Sequence, residues 1–233
     1  MNRSQLKLNA KNVLKKNYPS AFLFCLIYYT VTGYIGAEIA LVLTLLSYKP
    51  SDPNFNVEKI GFSENLITGD ILHYIAIIAS VLLLIVFAVF FVGPLTAAKS
   101  NCFLKARKDT FKASDAFDVL KDERYEKTLK IILAKNIALF AGYLLMIIPG
   151  IYFSYVFRFV PYIAAENPDI GWKEALKRSK EMTKGHKLEL FVLNLSFTGW
   201  YILSFIIPVF GKYLVKPYYD ATYTEVYETL KIS

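Results

Sequence analysis

Arg158 is the residue whose setting most invites chemistry. It lies inside the apolar run Tyr155-Val156-Phe157-Arg158-Phe159-Val160-Pro161. An arginine at membrane depth costs roughly 2.5–3.5 kcal/mol on insertion scales, so something must offset it. Glu38, Asp220 and Glu225 are the carboxylates on other apolar or helix-patterned segments. Two readings stand. One is a substrate or ion site in a polar cavity. The other is an internal ion pair that keeps helices in register, or an arginine snorkelling towards lipid phosphate. Glu38, alone in its apolar segment, could carry a proton, partner Arg158, or sit shallow near an interface.

Other chemistries find little support. The two histidines, His73 and His186, stand 113 positions apart and make no metal-ligand spacing, so no metal or cofactor is expected. There is no Walker loop, HExxH, GxSxG or CxxC. Asp122-Glu123 and Glu126 read as a charged surface rather than paired catalytic carboxylates. These observations point away from an enzyme. The two cysteines, Cys25 and Cys102, make no disulfide framework and read as reduced.

The elements that must position these residues are hydrophobic helices. Of 233 residues, 55% are hydrophobic, and the mean hydropathy is +0.37. The apolar residues are gathered into long runs, which is the signature of membrane spans. The runs are 21–46, 71–92, 129–148, 151–165 and 188–207. The first is 26 residues long, beyond the roughly 7–15 of a signal-peptide core, so it is expected to stay as a span. Gly93-Pro94 should kink the helix that follows the second, which continues to about Arg107. The third and fourth form a hairpin around Pro149-Gly150, either fully spanning or re-entrant. Its second arm has only 15 residues, about 22 Å of helix, against a hydrocarbon core of about 30 Å.

Charge orients the chain. The net charge is +8, and 20 of the 27 basic residues fall before Ser20, between Leu95 and Lys130, or between Glu166 and Lys187. The loop 47–70 instead carries Lys49 and Lys59 against Asp52, Glu58, Glu64 and Asp70. The positive-inside rule places the basic segments in the cytoplasm and this loop outside, with no need for nucleic acid. From about Asn167-Pro168-Asp169 a helix is expected with Trp172, Ala175, Leu176, Ser179, Met182 and His186 on one face. Lys173, Lys177, Arg178, Lys180 and Lys184 occupy the other, an interfacial pattern that favours anionic lipid. Segment 209–233 is a sixth helix with Asp220, Glu225 and Glu228 turned into the bundle, or an amphipathic helix at the interface. With six crossings both termini are cytoplasmic. Basic stretches at 4–16, 114–125 and 172–187 each precede a hydrophobic segment. They are pseudo-repeats, or simply the inside segments of an even-span protein.

The run Trp172-Lys-Glu-Ala-Leu-Lys-Arg-Ser-Lys-Glu-Met-Thr-Lys-Gly185, then Phe191 to Trp200, then Pro217-Tyr218 and Tyr227, resembles the domain-of-unknown-function 975 family of bacterial integral membrane proteins. The Ile148-Pro149-Gly150-Ile151 element and the basic N-terminal helix look like that family too, so the resemblance covers essentially the whole chain. A remoter similarity is to the membrane part of some glycerophosphodiester phosphodiesterases, whose catalytic domain has no counterpart here. Neither resemblance implies an activity or a catalytic residue. In physical terms Gly185 can end a helix, Gly199 can let another helix approach, and Trp200 is expected inside the bundle.

The sequence therefore predicts an all-α, polytopic helix bundle of the bacterial plasma membrane, one domain over 1–233. It has five hydrophobic segments, a sixth helix, and cytoplasmic amphipathic helices. The expected role is non-enzymatic: binding lipid or a protein partner in envelope homeostasis. The alternative is transport of a small amphipathic solute.

Overall fold

The computed structural model describes residues 2–47, 86–108, 110–204 and 211–232, with a few single positions between 75 and 82. Among them every regular element is helical. The elements are α1 (Arg3–Ser47), a π-helical turn (Ala88–Val92) leading into α2 (Gly93–Lys108), a 3₁₀ turn (Ala113–Ala116), α3 (Asp122–Leu145), α4 (Ile147–Val156), α5 (Val160–Glu166), α6 (Trp172–Met182), α7 (Lys187–Ser204) and α8 (Gly211–Ile232). The loop 47–70 and most of the apolar run 71–92 lie outside the described residues.

Two helices form the centre. In α2, Ala97 to Leu104 are buried without a break, and in α8 Asp220 to Tyr227 are likewise. Small residues make this feasible, since Ala97, Ala98, Ser100, Ala221 and Thr222 let neighbouring backbones approach closely. Helix α1 lies along α8. Its buried residues Leu6, Ala10, Leu14, Ala21, Cys25 and Tyr28 recur at helical spacing and form the seam. Leu23, Ile27 and Val31 face away.

The basic N-terminal stretch is thus no separate helix. It is the first part of the 45-residue α1, about 68 Å long. The stretch 114–125 differs as well: it begins as the 3₁₀ turn and enters α3 only at Asp122. The third basic helix starts at Trp172, after the N-cap Gly171, rather than near Asn167–Asp169.

The hairpin also turns elsewhere than expected. Met146, with φ −174° and ψ 165°, is the single extended residue between α3 and α4. Pro149 sits in the first turn of α4, where a missing N–H costs nothing. Gly150 serves packing: a Cβ there would lie 2.2 Å from the Tyr143 ring, and one on Gly142 would lie 2.4 Å from Phe153 and 3.3 Å from the Gly150 Cα. Moving the reversal lengthens the second arm. Residues Ile147–Glu166, in α4 and α5, number 20, about 30 Å. Among the described residues, this arm and Glu123–Leu145 are the two helices long and apolar enough to cross a membrane.

The Gly93-Pro94 irregularity is accommodated in two ways. The Gly93 N–H reaches back five residues to the Ala88 carbonyl. Pro94 cannot donate to the carbonyl of Phe90, and the Tyr125 hydroxyl donates to it instead, at 2.6 Å. This ties α3 to the start of α2.

Replacing Gly142 with Leu should drive α3 and α4 apart at their closest approach. The gain in helix propensity is under about 1 kcal/mol, against an overpacking cost of about 1–3 kcal/mol. Thermal unfolding in detergent should show a lower midpoint, and an unchanged midpoint would contradict the tight crossing.

Candidate functional site

The centre of the bundle holds charge. Lys99, from α2, places Nζ 3.0 Å from Asp220 Oδ1 of α8. Lys99 also donates to the Tyr29 hydroxyl of α1 at 2.8 Å, and that hydroxyl donates to Asp220 Oδ2 at 3.0 Å. The three groups close a ring of hydrogen bonds across three helices. Cys25 Sγ approaches Asp220 Oδ2 at 3.8 Å, and Lys99 lies over the rings of Tyr28 and Tyr29, each 4.8 Å away. Lys99 and Asp220 are both buried. Each such ion costs several kcal/mol to desolvate, and only a close, fully bonded partner offsets it.

Three further cations surround this pair. Lys216, one turn before Asp220, lies over the rings of Tyr29, Tyr201 and Tyr219. Arg158, at the break between α4 and α5, stacks its guanidinium 4.1 Å from the Tyr223 ring and 5.6 Å from that of Tyr219. Lys135 of α3 is close enough to Lys99 to repel it. None of these three has a carboxylate within ion-pair distance among the described residues. The interior around Asp220 therefore holds more cations than carboxylates among the described residues. Cation–π contacts contribute about 0.5–2 kcal/mol each, so the tyrosines only partly offset the excess.

The residues singled out from sequence fall as follows. Arg158 meets neither Asp220 nor Glu225. Asp220 is taken by Lys99, and Glu225 accepts from Arg107 Nε at 2.9 Å, with Glu228 on the same guanidinium at 3.1 Å. Glu38 is on α1, but its side chain lies outside the described residues. Gly185 has φ +83° and ends the turn after α6, a conformation that favours glycine. Pro217 is inside α8. Tyr218 packs edge-on against Phe197. The other two α7 residues differ from expectation. Among the described residues nothing else lies within 4 Å of a Cβ built on Gly199, and Trp200 is 47% exposed. Their helix turns its seam residues Leu190, Leu193 and Phe197 inward, which leaves Gly199 and Trp200 on the outer face.

In α6, Lys173, Lys177, Arg178 and Lys180 are exposed, as is Lys184 in the turn that follows, whereas Ala175 and Ser179 are buried. The Ser179 hydroxyl donates to the Val156 carbonyl at 2.7 Å, which caps the end of α4. The basic face is thus pinned to the bundle by its small polar side.

Sequence reasoning missed Lys99, Tyr29 and Lys216. Lys99 was grouped with the basic segment after the second apolar run. The available signal was that no acidic residue lies within four positions of it, in Leu95-Thr-Ala-Ala-Lys99-Ser-Asn-Cys-Phe103. Asp220 sits four residues after Lys216 and reads as that lysine's local helical partner. Its hydrogen-bonded partner is Lys99, 121 positions away.

Among the described residues these features define an all-helical protein with two helices long and apolar enough to cross a membrane and a charged, tyrosine-rich interior. Residues 131–233 match the model of the family described as protein of unknown function (DUF975). The match begins within α3 and takes in Arg158, Lys216 and Asp220, but not Tyr29 or Lys99. No curated protein and no solved structure matches the chain.

The excess of cations predicts an asymmetry. Asp220→Asn should destabilise the fold by about 3–5 kcal/mol, because it strips the carboxylate from several cations at once. Lys99→Met should cost less, since Lys216 remains beside Asp220. Denaturant unfolding of both variants in detergent checks the order, and equal losses would contradict it.

Proposed function

We propose that this chain is a multi-pass, non-enzymatic protein of the bacterial plasma membrane that binds anionic lipid along its cytoplasmic face, in a role in envelope homeostasis. One observation carries the reading. A broad apolar surface lies open beside an exposed basic helix. Leu144 and Ile148, at the tip of the α3–α4 hairpin, are 77% and 78% exposed, and Leu188, Leu195 and Ile202 point outward from α7. Soluble monomers rarely leave so large an apolar surface in water. The basic face of α6 then falls where α7 would enter the bilayer, the place an interfacial helix meets lipid head groups.

The six crossings follow from the apolar runs and the charge bias. Both termini are then cytoplasmic, and the loop 47–70 lies outside. Transport of a small amphipathic solute is the second reading, favoured by half-buried Arg158 having no carboxylate partner among the described residues. It requires that Arg158→Leu abolish transport while the protein stays folded.

Lipid preference is measured on protein extracted from nanodiscs that mix neutral and anionic phospholipids. The anionic lipid should be enriched on the protein at low salt. Replacing Lys173, Lys177 and Lys180 together with Gln should reduce that enrichment severalfold, and equal retention of neutral and anionic lipid would overturn the reading. Orientation is measured with single cysteines and an impermeant thiol reagent on intact cells. The native thiols should stay silent, because Cys25 and Cys102 are buried and burial pushes the Cys102 thiol up to about 12. Asn56→Cys should react and Lys177→Cys should not. The opposite pattern would invert the topology.

A further inference from the structure

Arg158, Lys216 and Tyr223 are all hydrogen-bond donors, and among the described residues none of them has a carboxylate or carbonyl acceptor. Tyr223 is 2% exposed, and its buried hydroxyl has no acceptor for its proton among the described residues. The group stacked on it is the Arg158 guanidinium, which can only donate. Lys216 meets only the faces of aromatic rings. Arg158 and Lys216 both contact the Tyr219 ring, at 5.6 and 5.9 Å from its centroid. They are also close enough to repel each other.

The surroundings reinforce this. The Tyr219 hydroxyl is committed to Asn194 Oδ1 at 3.1 Å, and Asn194 Nδ2 donates to the Tyr155 hydroxyl at 3.4 Å. Tyr155 thereby acts as an acceptor and keeps its own proton to give, 5.9 Å from Arg158 measured at its ring centre. The nearby carboxylate Asp220 is held by Lys99 and Tyr29. What the cluster lacks is an acceptor carrying negative charge.

We propose that Arg158, Lys216 and Tyr223 form an oxyanion site for a phosphate group, carried by an anionic lipid head group or by free phosphate. A planar guanidinium forked onto two oxygens, with an ammonium and a hydroxyl beside it, is a donor set suited to phosphate. The site is separate from the exposed face of α6, and only its lipid source rests on the membrane reading above. It also differs in its response to salt. Exposed lysines are screened at high ionic strength, whereas partly buried donors are screened much less.

The test uses the full chain in neutral detergent at high salt, with binding read by native mass spectrometry. The probes are dioctanoyl phosphatidylglycerol, dioctanoylglycerol as the phosphate-free control, and inorganic phosphate. The wild type should bind one phosphate-bearing lipid per chain saturably and the control not at all. Saturable binding of inorganic phosphate as well would assign the site to the phosphate group alone. Arg158→Gln with Lys216→Gln should weaken binding by about tenfold or more, and Tyr223→Phe should weaken it too. Arg158→Lys with Lys216→Arg keeps the charges and should retain most of the affinity. Replacing Lys173, Lys177 and Lys180 with Gln should leave high-salt binding unchanged, even if it removes the low-salt lipid preference. Absence of saturable high-salt binding by the wild type to either phosphate probe would overturn the site, whatever the variants do. So would equal binding of the phosphate-free control.

Discussion

The hydrogen-bonded ring of Lys99, Asp220 and Tyr29 is the interaction on which the bundle depends. It joins α2, α8 and α1, and these helices have few other ways of fixing their mutual register. Apart from Arg107 of α2 on Glu225 and Glu228 of α8, and Tyr28 of α1 bonded to Thr96 of α2, their contacts are largely made by alanines, threonines and aromatic faces, which tolerate sliding. A buried ion pair does not tolerate it, because a slip of one turn would leave two desolvated charges without partners. Conformational specificity, rather than net stability, is the usual return on such a pair.

The surrounding tyrosines follow from the same constraint. Tyr28, Tyr29, Tyr155, Tyr201, Tyr219 and Tyr223 present ring faces to Lys99, Lys216 and Arg158. An aromatic face accepts positive charge without adding a formal negative one. The interior can therefore hold more cations than carboxylates, and a net positive interior favours anions. Nearer the chain termini the pairing changes character. Arg107 with Glu225 and Glu228, and Lys231 with Glu166, are conventional ion pairs at the rim of the bundle.

Much of the fold is legible in the sequence, and the parts that are not share a cause. The apolar runs, the face of α6 around Ala175 and Ser179, the irregularity at Gly93-Pro94 and the presence of a C-terminal helix all follow from local pattern. Proline, glycine and helical periodicity act over a few residues, so one sequence suffices to read them. The hairpin reversal is not legible locally, because Pro149-Gly150 has the composition of a turn, while Met146, which makes the turn, does not. Gly150 is glycine because Tyr143 lies across it, a contact no local rule contains. Residue type favours the bundle interior for Trp200 and a helix contact at Gly199, but α7 turns that face outward.

The sequence alone determined the all-helical class, the likeness of residues 131–233 to the DUF975 family model, and the two arms around Met146 that are long and apolar enough to cross a membrane. These depend on composition and on spacing within single helices. The tertiary structure alone decided the charge pairing. Asp220 reads locally as the neighbour of Lys216, yet it bonds to a lysine 121 positions away, which leaves Lys216 and Arg158 facing the tyrosines. Electrostatic partners are set by distance in space, and α8 comes within reach of α2 only once the bundle has packed.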